Sequence, residues 1–87
     1  MTKAVIPRRE VAWFACQMEQ QLVLNDHKGG WTDCGTEWLL TRLLEEAREL
    51  SVALTSCSPL ERVVKEAADV ANFAMMIADV TRMEQKP

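Results

Sequence analysis

Glycine and proline are scarce in this sequence, which contains three of each among its 87 residues. All-β folds consist of many short strands joined by turns that are rich in these two residues. No segment shows the alternation of apolar and polar residues, bounded by turn residues, that is typical of a half-buried strand. These absences exclude a β-rich fold and predict an all-α chain, whose length fits a single domain over residues 1–87.

Positive charge is also scarce. Lys and Arg total 10 against 13 Asp and Glu, which gives a formal net charge of −3 at pH 7. Apart from Arg8-Arg9, the sequence has no cluster of basic residues. A protein that binds a nucleic-acid polymer needs a clustered positive face, so we expect no such partner. The acidic balance does not exclude an anionic ligand that is bound through metal ions.

The sequence further lacks the patterns of disulfide-rich, secreted and membrane proteins. Its cysteines are odd in number and widely spaced, with no CxxC pair: Cys16, Cys34 and Cys57. We expect reduced thiols, which are typical of cytosolic proteins. The N-terminal segment MTKAVIPRRE has no apolar h-region of a signal peptide, and no run approaches the ~20 apolar residues of a membrane span. We therefore predict a cytoplasmic protein that has no membrane partner.

The remaining pattern is that of helices. Three helices are predicted, over about residues 7–24, 34–54 and 59–82. Pro7 is expected at the first position of the first helix, where its missing N–H would be unsatisfied anyway. Ser58, Pro59 and Glu61 predict a capping box with a proline start for the third helix. The second and third helices are expected to form an antiparallel hairpin.

The third predicted helix is apolar on more than one face. Between Ala67 and Val80, the residues that are not apolar are Asp69, Asn72 and Asp79. A three-helix monomer would bury one broad face of this helix, so the excess predicts a second helical layer from another copy of the chain. We expect a homodimer or a dimer of dimers that completes a four-helix-bundle-type core.

Acidic residues form two groups on the predicted hairpin. Helix two contains Glu45, Glu46 and Glu49, and helix three contains Glu66 and Asp69. Both groups lie about seven to eleven residues from the hairpin loop, so we expect them at the same level. Carboxylates at one level repel each other unless cations neutralise them. Hard divalent cations, Mg²⁺ above all and Mn²⁺ as a second choice, prefer such oxygen ligands and leave positions open for phosphate oxygens.

The alternative is an ordinary solvated acidic face. In that case Arg42, Arg48 and Lys65 would pair with these acids as surface ion pairs that contribute little stability. Asp69 and Asn72 lie inside a strongly apolar run, where a solvated face is not expected, and this favours the metal hypothesis. Composition and spacing alone leave both interpretations open.

The order and spacing of the acidic groups resemble a known family. The segments Glu45-Glu46-x-x-Glu49 and Glu66-x-x-Asp69, separated by sixteen residues, resemble the motifs of MazG-like, all-α nucleoside triphosphate pyrophosphohydrolases. The resemblance extends over about residues 25–80 and includes NDHKGGW. It implies a helical oligomer that cleaves the α–β bond of an NTP or dNTP with Mg²⁺, giving NMP and pyrophosphate, as in house-cleaning of the nucleotide pool.

The resemblance also implies roles for particular residues. The metal ligands would be Glu46, Glu49, Glu66 and Asp69. Glu45 or Glu46 would orient or deprotonate the attacking water, and Asn72 would contact the substrate or orient a ligand. Only about seven residues follow Val80, where many members of the family have a fourth helix. We therefore expect either a partner subunit to supply the missing wall or a more open pocket.

The segment NDHKGGW is the predicted substrate-recognition loop. Substrate contacts are expected from Asn25, His27, Lys28, Trp31 and, in helix two, Trp38. Indole rings present large flat faces for stacking on a base, and a lysine is a point charge suited to a phosphate. The alternative is a helix stop in which Gly29 or Gly30 adopts a positive φ and both tryptophans pack as structural residues. The Walker spacing GxxxxGK is absent, so the segment is not a P-loop.

Two functions from different classes are compatible with this sequence. One is a Mg²⁺-dependent nucleotide pyrophosphohydrolase, and the other is a non-catalytic helical module that dimerises through helix three. The two acidic groups are expected at the same height along the hairpin, and this feature distinguishes the two functions, because a dimerisation module does not need it. No Ser or Cys nucleophile with an adjacent base is visible.

Overall fold

The computed structural model of the chain describes residues 3–85, so residues 1, 2, 86 and 87 of the predicted domain lie outside it. The helices are α1 (Arg9–Asn25), α2 (Thr36–Thr55) and α3 (Leu60–Glu84), with a short 3₁₀ helix at Asp26–Lys28. No strand occurs in the described part of the chain, which confirms the all-helical prediction.

Helix α3 is the centre of the fold. It packs along α2 as an antiparallel hairpin and against α1 on another side, while the backbones of α1 and α2 do not approach each other. This arrangement follows from the sequence of α3, which is apolar on more than one face and therefore has two helices to pack against. Residues of all three helices and of the segment that joins α1 to α2 line one cavity, and the candidate site lies there.

The predicted start of the third helix is wrong in its details. Pro59 is the N-cap residue and has an extended backbone (φ −57°, ψ 155°), so the helix begins at Leu60. The carbonyl oxygen of Pro59 accepts hydrogen bonds from the backbone amides of Arg62 and Val63. The Ser58 hydroxyl lies 3.1 Å from the Ser56 hydroxyl and does not cap the helix, so the expected capping box is not formed.

The first helix also begins later than predicted. It starts at Arg9, because Arg8 has an extended backbone (φ −65°, ψ 161°) and acts as the N-cap. Pro7 therefore precedes the helix instead of occupying its first position. At the other end, Gly29 adopts a φ of 88°, as expected for a residue that ends a helix, whereas Asn25 has a φ of −107°. The Asn25 side chain donates to the carbonyl oxygen of Gln21, 2.9 Å away.

The apolar core of the chain is small. Among the described residues, its buried apolar members are Leu39, Ala53, Ala68 and Val80. Many large apolar side chains are exposed, among them Val11 and Trp13 on α1 and Leu40, Leu44 and Leu54 on α2. A chain of this size has little core to spare, so exposed apolar surface of this extent is a notable feature of the fold.

None of the described helices has the length and the apolar composition that crossing a membrane requires.

Candidate metal centre and adjoining cavity

Three carboxylates meet on the α2–α3 hairpin. Glu46 comes from α2, and Glu66 and Asp69 come from successive turns of one face of α3. Each offers a carboxylate oxygen, and these oxygens all lie within 4.8 Å of one another. We refer to Glu46, Glu66 and Asp69 as the carboxylate triad. Its members come from both predicted acidic groups.

The triad does not belong to a solvated face. The Glu66 residue retains 7% of its exposure, and the side chains of Glu46 and Asp69 each retain 17%. Removing carboxylates from water is unfavourable, and placing like charges this close adds repulsion. Buried acids in such an arrangement require cations close by.

The pKa of Glu46 reflects both its burial and the repulsion from its acidic neighbours. Burial of its carboxylate raises the pKa of Glu46 above its ordinary value, and the negative charges of Asp69 and Glu66 raise it further. The nearby guanidinium of Arg42 opposes this shift without cancelling it. The protonated form of Glu46 is therefore favoured relative to a free glutamate.

Two basic side chains contact the triad. The Nζ atom of Lys65 lies 3.0 Å from Oδ2 of Asp69 and 3.5 Å from Oε1 of Glu66. The Nη2 atom of Arg42 lies 3.3 Å from Oε1 of Glu46. The hydrogen bond to Asp69 raises the pKa of Lys65, so its ammonium group is held in the charged form. Ion pairs with Arg42 and Lys65 thus occur as the solvated-face alternative expects, but their partners within the triad are largely buried.

Two predicted acidic residues lie outside the triad. The side chain of Glu45 is 57% exposed and contacts Nη1 of Arg42 at 2.9 Å. The side chain of Glu49 is 55% exposed and lies 3.9 Å from Nη2 of Arg62. Residue 45 points about 100° away from residue 46 around the helix axis, and residue 49 lies almost one turn closer to the hairpin loop. The structure therefore brings Glu46 to the acids of α3 without Glu45 or Glu49.

A cavity of about 510 Å³ adjoins the triad. Its wall includes Glu46 and Asp69, and it extends to the end of α1 and the loop that precedes α2. The predicted substrate-binding residues that line it are Asn25, Lys28, Trp31, Trp38 and Asn72. His27 is not among the lining residues. The volume lies in the range of about 300–1,000 Å³ that is typical of small-molecule sites.

Asn72 has an unusual position in the cavity wall. The residue retains 4% of its exposure, and its Nδ2 donates to the carbonyl oxygen of Met18, 3.0 Å away on α1. That bond fixes the orientation of the amide, since only the nitrogen can donate. The Oδ1 atom is buried and has no hydrogen-bond partner among the described residues. Buried acceptors are nearly always satisfied, so Oδ1 of Asn72 is a polar atom of the cavity wall that lacks a protein partner among the described residues.

The two tryptophans of the cavity differ in how they are held. The indole N–H of Trp31 donates to Oδ2 of Asp79, 3.0 Å away on α3, and this bond ties the loop to the central helix. Arg82 pairs with the other oxygen of Asp79 at 2.8 Å. Trp38 is more than half exposed, so it is not the core residue that the alternative interpretation expected. Trp31 therefore combines a structural contact with a place in the cavity wall.

Sequence reasoning missed the role of Asp79 and Phe73. Asp79 is the third polar residue in the apolar run of α3. A polar residue in such a run is the signal that its side chain has a hydrogen-bond partner on the packed side of the helix. Phe73 lies under the guanidinium of Arg42, 5.4 Å from ring centroid to Cζ, and so supports the arginine that contacts Glu46. No pattern in the sequence links residues 42 and 73.

The chemistry of the triad suits a hard divalent cation. Its carboxylate oxygens come from two helices and lie close together, and Glu46 and Asp69 line the cavity. Oxygen ligands of this kind match the preferences of Mg²⁺ and Mn²⁺. Comparisons with protein-family models, curated proteins and solved structures found no match to this chain.

Proposed function

We propose that this chain is a Mg²⁺-dependent nucleoside triphosphate pyrophosphohydrolase, which converts an NTP or dNTP and water to the NMP and pyrophosphate. In this proposal it acts in the cytoplasm on the nucleotide pool, as the resemblance to MazG-like enzymes implies. The observation that supports it most is the continuity of the carboxylate triad with a nucleotide-sized cavity. A dimerisation module needs neither feature.

The triad would hold the metal in this proposal. Mg²⁺ bound there would neutralise phosphate charge and lower the pKa of a bound water. Glu46 is the better candidate to accept the proton of the attacking water, because it belongs to the triad and lines the cavity where the water would attack. Glu45 is the less favoured candidate, since it is exposed and paired with Arg42. Glu49 becomes a further ligand if its side chain turns away from Arg62.

The cavity wall would bind the rest of the nucleotide. The rings of Trp31 and Trp38 offer faces on which a base can stack. Lys28, on the same wall, supplies a positive charge for the phosphates. Asn25 offers its amide for hydrogen bonds to the base or sugar. Asn72 would contact the substrate only after its side chain moves, because its nitrogen donates to Met18 and its oxygen is buried. His27 has the weakest claim, because it does not line the cavity.

A second copy of the chain would complete the core. The exposed apolar side chains of α2, including Leu40, Leu44 and Leu54, are surface that a partner helix can cover. We propose a homodimer, or a dimer of dimers, assembled through this surface. The same surface favours the non-catalytic dimerisation module as the second candidate function. Its interface would lie on α2 and not on the third helix as expected from the sequence, because α3 packs against α1 and α2 of its own chain.

A product assay separates the two candidates. The purified protein would be incubated with a panel of NTPs and dNTPs and Mg²⁺ or Mn²⁺, and pyrophosphate would be measured. We expect release from at least one nucleotide, its loss in Glu66→Gln, and its retention in the matched control Glu61→Gln, an exposed acid of the same helix. Absence of pyrophosphate with every nucleotide would contradict the enzyme proposal and leave the dimerisation module.

A further inference from the structure

The two basic residues that contact the triad have a second property in common. Lys65 and Arg42 both line the cavity that adjoins the triad. Their side chains are 51% and 37% exposed, respectively, so each has room to change its partner. Each therefore touches the acids on one side and the cavity on the other.

The contacts of these cations involve all three carboxylates. Lys65 touches Asp69 and Glu66, and Arg42 touches Glu46 as well as the exposed Glu45. The three carboxylates of the triad are thus opposed by two positive charges from the same chain. Within the triad, the oxygens in these contacts are Oδ2 of Asp69 and Oε1 of Glu66 and Glu46. They belong to the same carboxylates that would bind a metal ion.

A divalent cation and these two side chains compete for the same acids. Two positive charges beside the triad repel an approaching metal ion, so binding of the metal alone is weakened. A triphosphate in the cavity changes this balance, because it presents new oxygens to Lys65 and Arg42 at the moment when the metal replaces them on the carboxylates. Binding of the metal and of the triphosphate is then mutually favourable, as linkage requires.

We propose that Lys65 and Arg42 are exchangeable counter-cations of the triad, which transfer from carboxylate to triphosphate oxygens when the metal–triphosphate complex binds. This inference rests on the proposed function and adds to it the identity of two triphosphate-binding residues and a reason why free metal binds poorly. Arg42 is supported in this role by Phe73, on whose ring its guanidinium lies.

The test uses two probes that need no knowledge of the preferred base. One probe is Mn²⁺ alone, and the other is the preformed complex of Mn²⁺ with inorganic tripolyphosphate, each titrated by calorimetry into wild type and Lys65→Met. For the variant we expect Mn²⁺ alone to bind roughly tenfold more tightly, as Coulomb's law gives for a unit charge about 5 Å from a divalent ion in a well-solvated site. The complex should bind roughly tenfold more weakly, because a phosphate contact is lost.

Opposite shifts distinguish this role from a structural one, which would weaken both probes together. Arg48→Met is the matched control, since Arg48 is an exposed cation of α2 that does not line the cavity, and both affinities should stay near those of wild type. Lys65→Arg, which keeps the charge, should restore the wild-type pattern. Unchanged Mn²⁺ affinity in Lys65→Met, or shifts of both probes in one direction, would overturn the inference.

The calorimetric test of the counter-cations and the pyrophosphate assay of the hydrolase can give different answers. Opposite shifts without pyrophosphate release from any nucleotide would support the counter-cations and contradict the hydrolase. Pyrophosphate release together with unchanged affinities in Lys65→Met would support the hydrolase and overturn the counter-cations. Failure of Mn²⁺ and its complex to bind either protein would contradict both.

Discussion

Replacing Glu46 with glutamine should stabilise the metal-free protein at neutral pH. The carboxylate oxygens of Glu46 and its two triad partners lie within 4.8 Å of one another. Each unit-charge repulsion at that separation amounts to about 0.9 kcal/mol in a water-like dielectric and more where the site is drier. Removing two repulsions gains about 2 kcal/mol, and losing the pair with Arg42 costs about 0.5–1 kcal/mol. The net expectation is an increase of about 1 kcal/mol in the free energy of unfolding.

The pH dependence of this gain has a definite sign. The pKa of Glu46 is raised in the folded state by burial and by its acidic neighbours, so the fold favours the protonated form. The contribution of Glu46 to stability is therefore largest below its unfolded-state pKa of about 4.5 and is lost as the pH rises through the raised folded-state value. The advantage of Glu46→Gln should therefore grow as the pH rises from about 4, where it should be close to zero, towards neutral.

The assay is urea unfolding followed by helix circular dichroism, in EDTA and at one fixed protein concentration, because self-association would make stability concentration-dependent. Glu45→Gln is the matched control, since Glu45 is the neighbouring residue, contacts the same Arg42, is exposed and lies outside the triad. Its effect should stay within about 0.5 kcal/mol. If Glu46→Gln destabilises the metal-free protein more than the control does, the triad is a structural ion-pair network and the reasoning is refuted.

Three further predictions concern the metal, the loop and the exposed apolar surface. Excess Mg²⁺ should raise the free energy of unfolding of wild type by about 2.7 kcal/mol at one hundred times its dissociation constant, and EDTA should reverse this; a Glu66→Gln variant that responds equally would place the metal elsewhere. Trp31→Phe keeps a ring but loses the hydrogen bond to Asp79, so thermal unfolding should show a loss of about 1 kcal/mol, and an unchanged midpoint would mean that this bond does not hold the loop. Leu44→Glu should reduce the mass measured by light scattering to that of a monomer, whereas Gln20→Glu, at an exposed site of α1 away from this surface, should not. Equal masses for the two variants would exclude the α2 surface as the interface.

The helices follow from local sequence, and their ends do not. Apolar periodicity and the scarcity of turn residues are enough to predict three helices, because both depend on residues close together in the chain. The helix starts at Arg9 and Leu60 differ from the prediction, because Pro7 lies outside the first helix, before its N-cap Arg8, and Pro59 is itself the N-cap of the third. Boundaries of this kind depend on one or two backbone angles.

The position of the acids along the hairpin could be predicted from the sequence, but the contacts of their side chains could not. Counting residues from the hairpin loop places Glu46 opposite the acids of α3, because the rise of a helix is fixed. It does not show that Glu49 turns to Arg62, since that choice depends on a side chain from the other helix. The contact of Trp31 with Asp79 spans forty-eight residues and depends on how the loop folds back onto α3, which no local pattern reveals.

The most direct test of the account is to locate Mn²⁺ and a triphosphate on the protein. Crystals grown with Mn²⁺ and a non-hydrolysable nucleoside triphosphate, with anomalous data collected at the manganese edge, would show the metal and the phosphates together. We predict that manganese is bound by carboxylate oxygens of Glu46, Glu66 and Asp69. The phosphates should lie in the cavity and contact Lys65 and Arg42. Manganese elsewhere, or a triad that keeps both cations while the nucleotide binds outside the cavity, would contradict it.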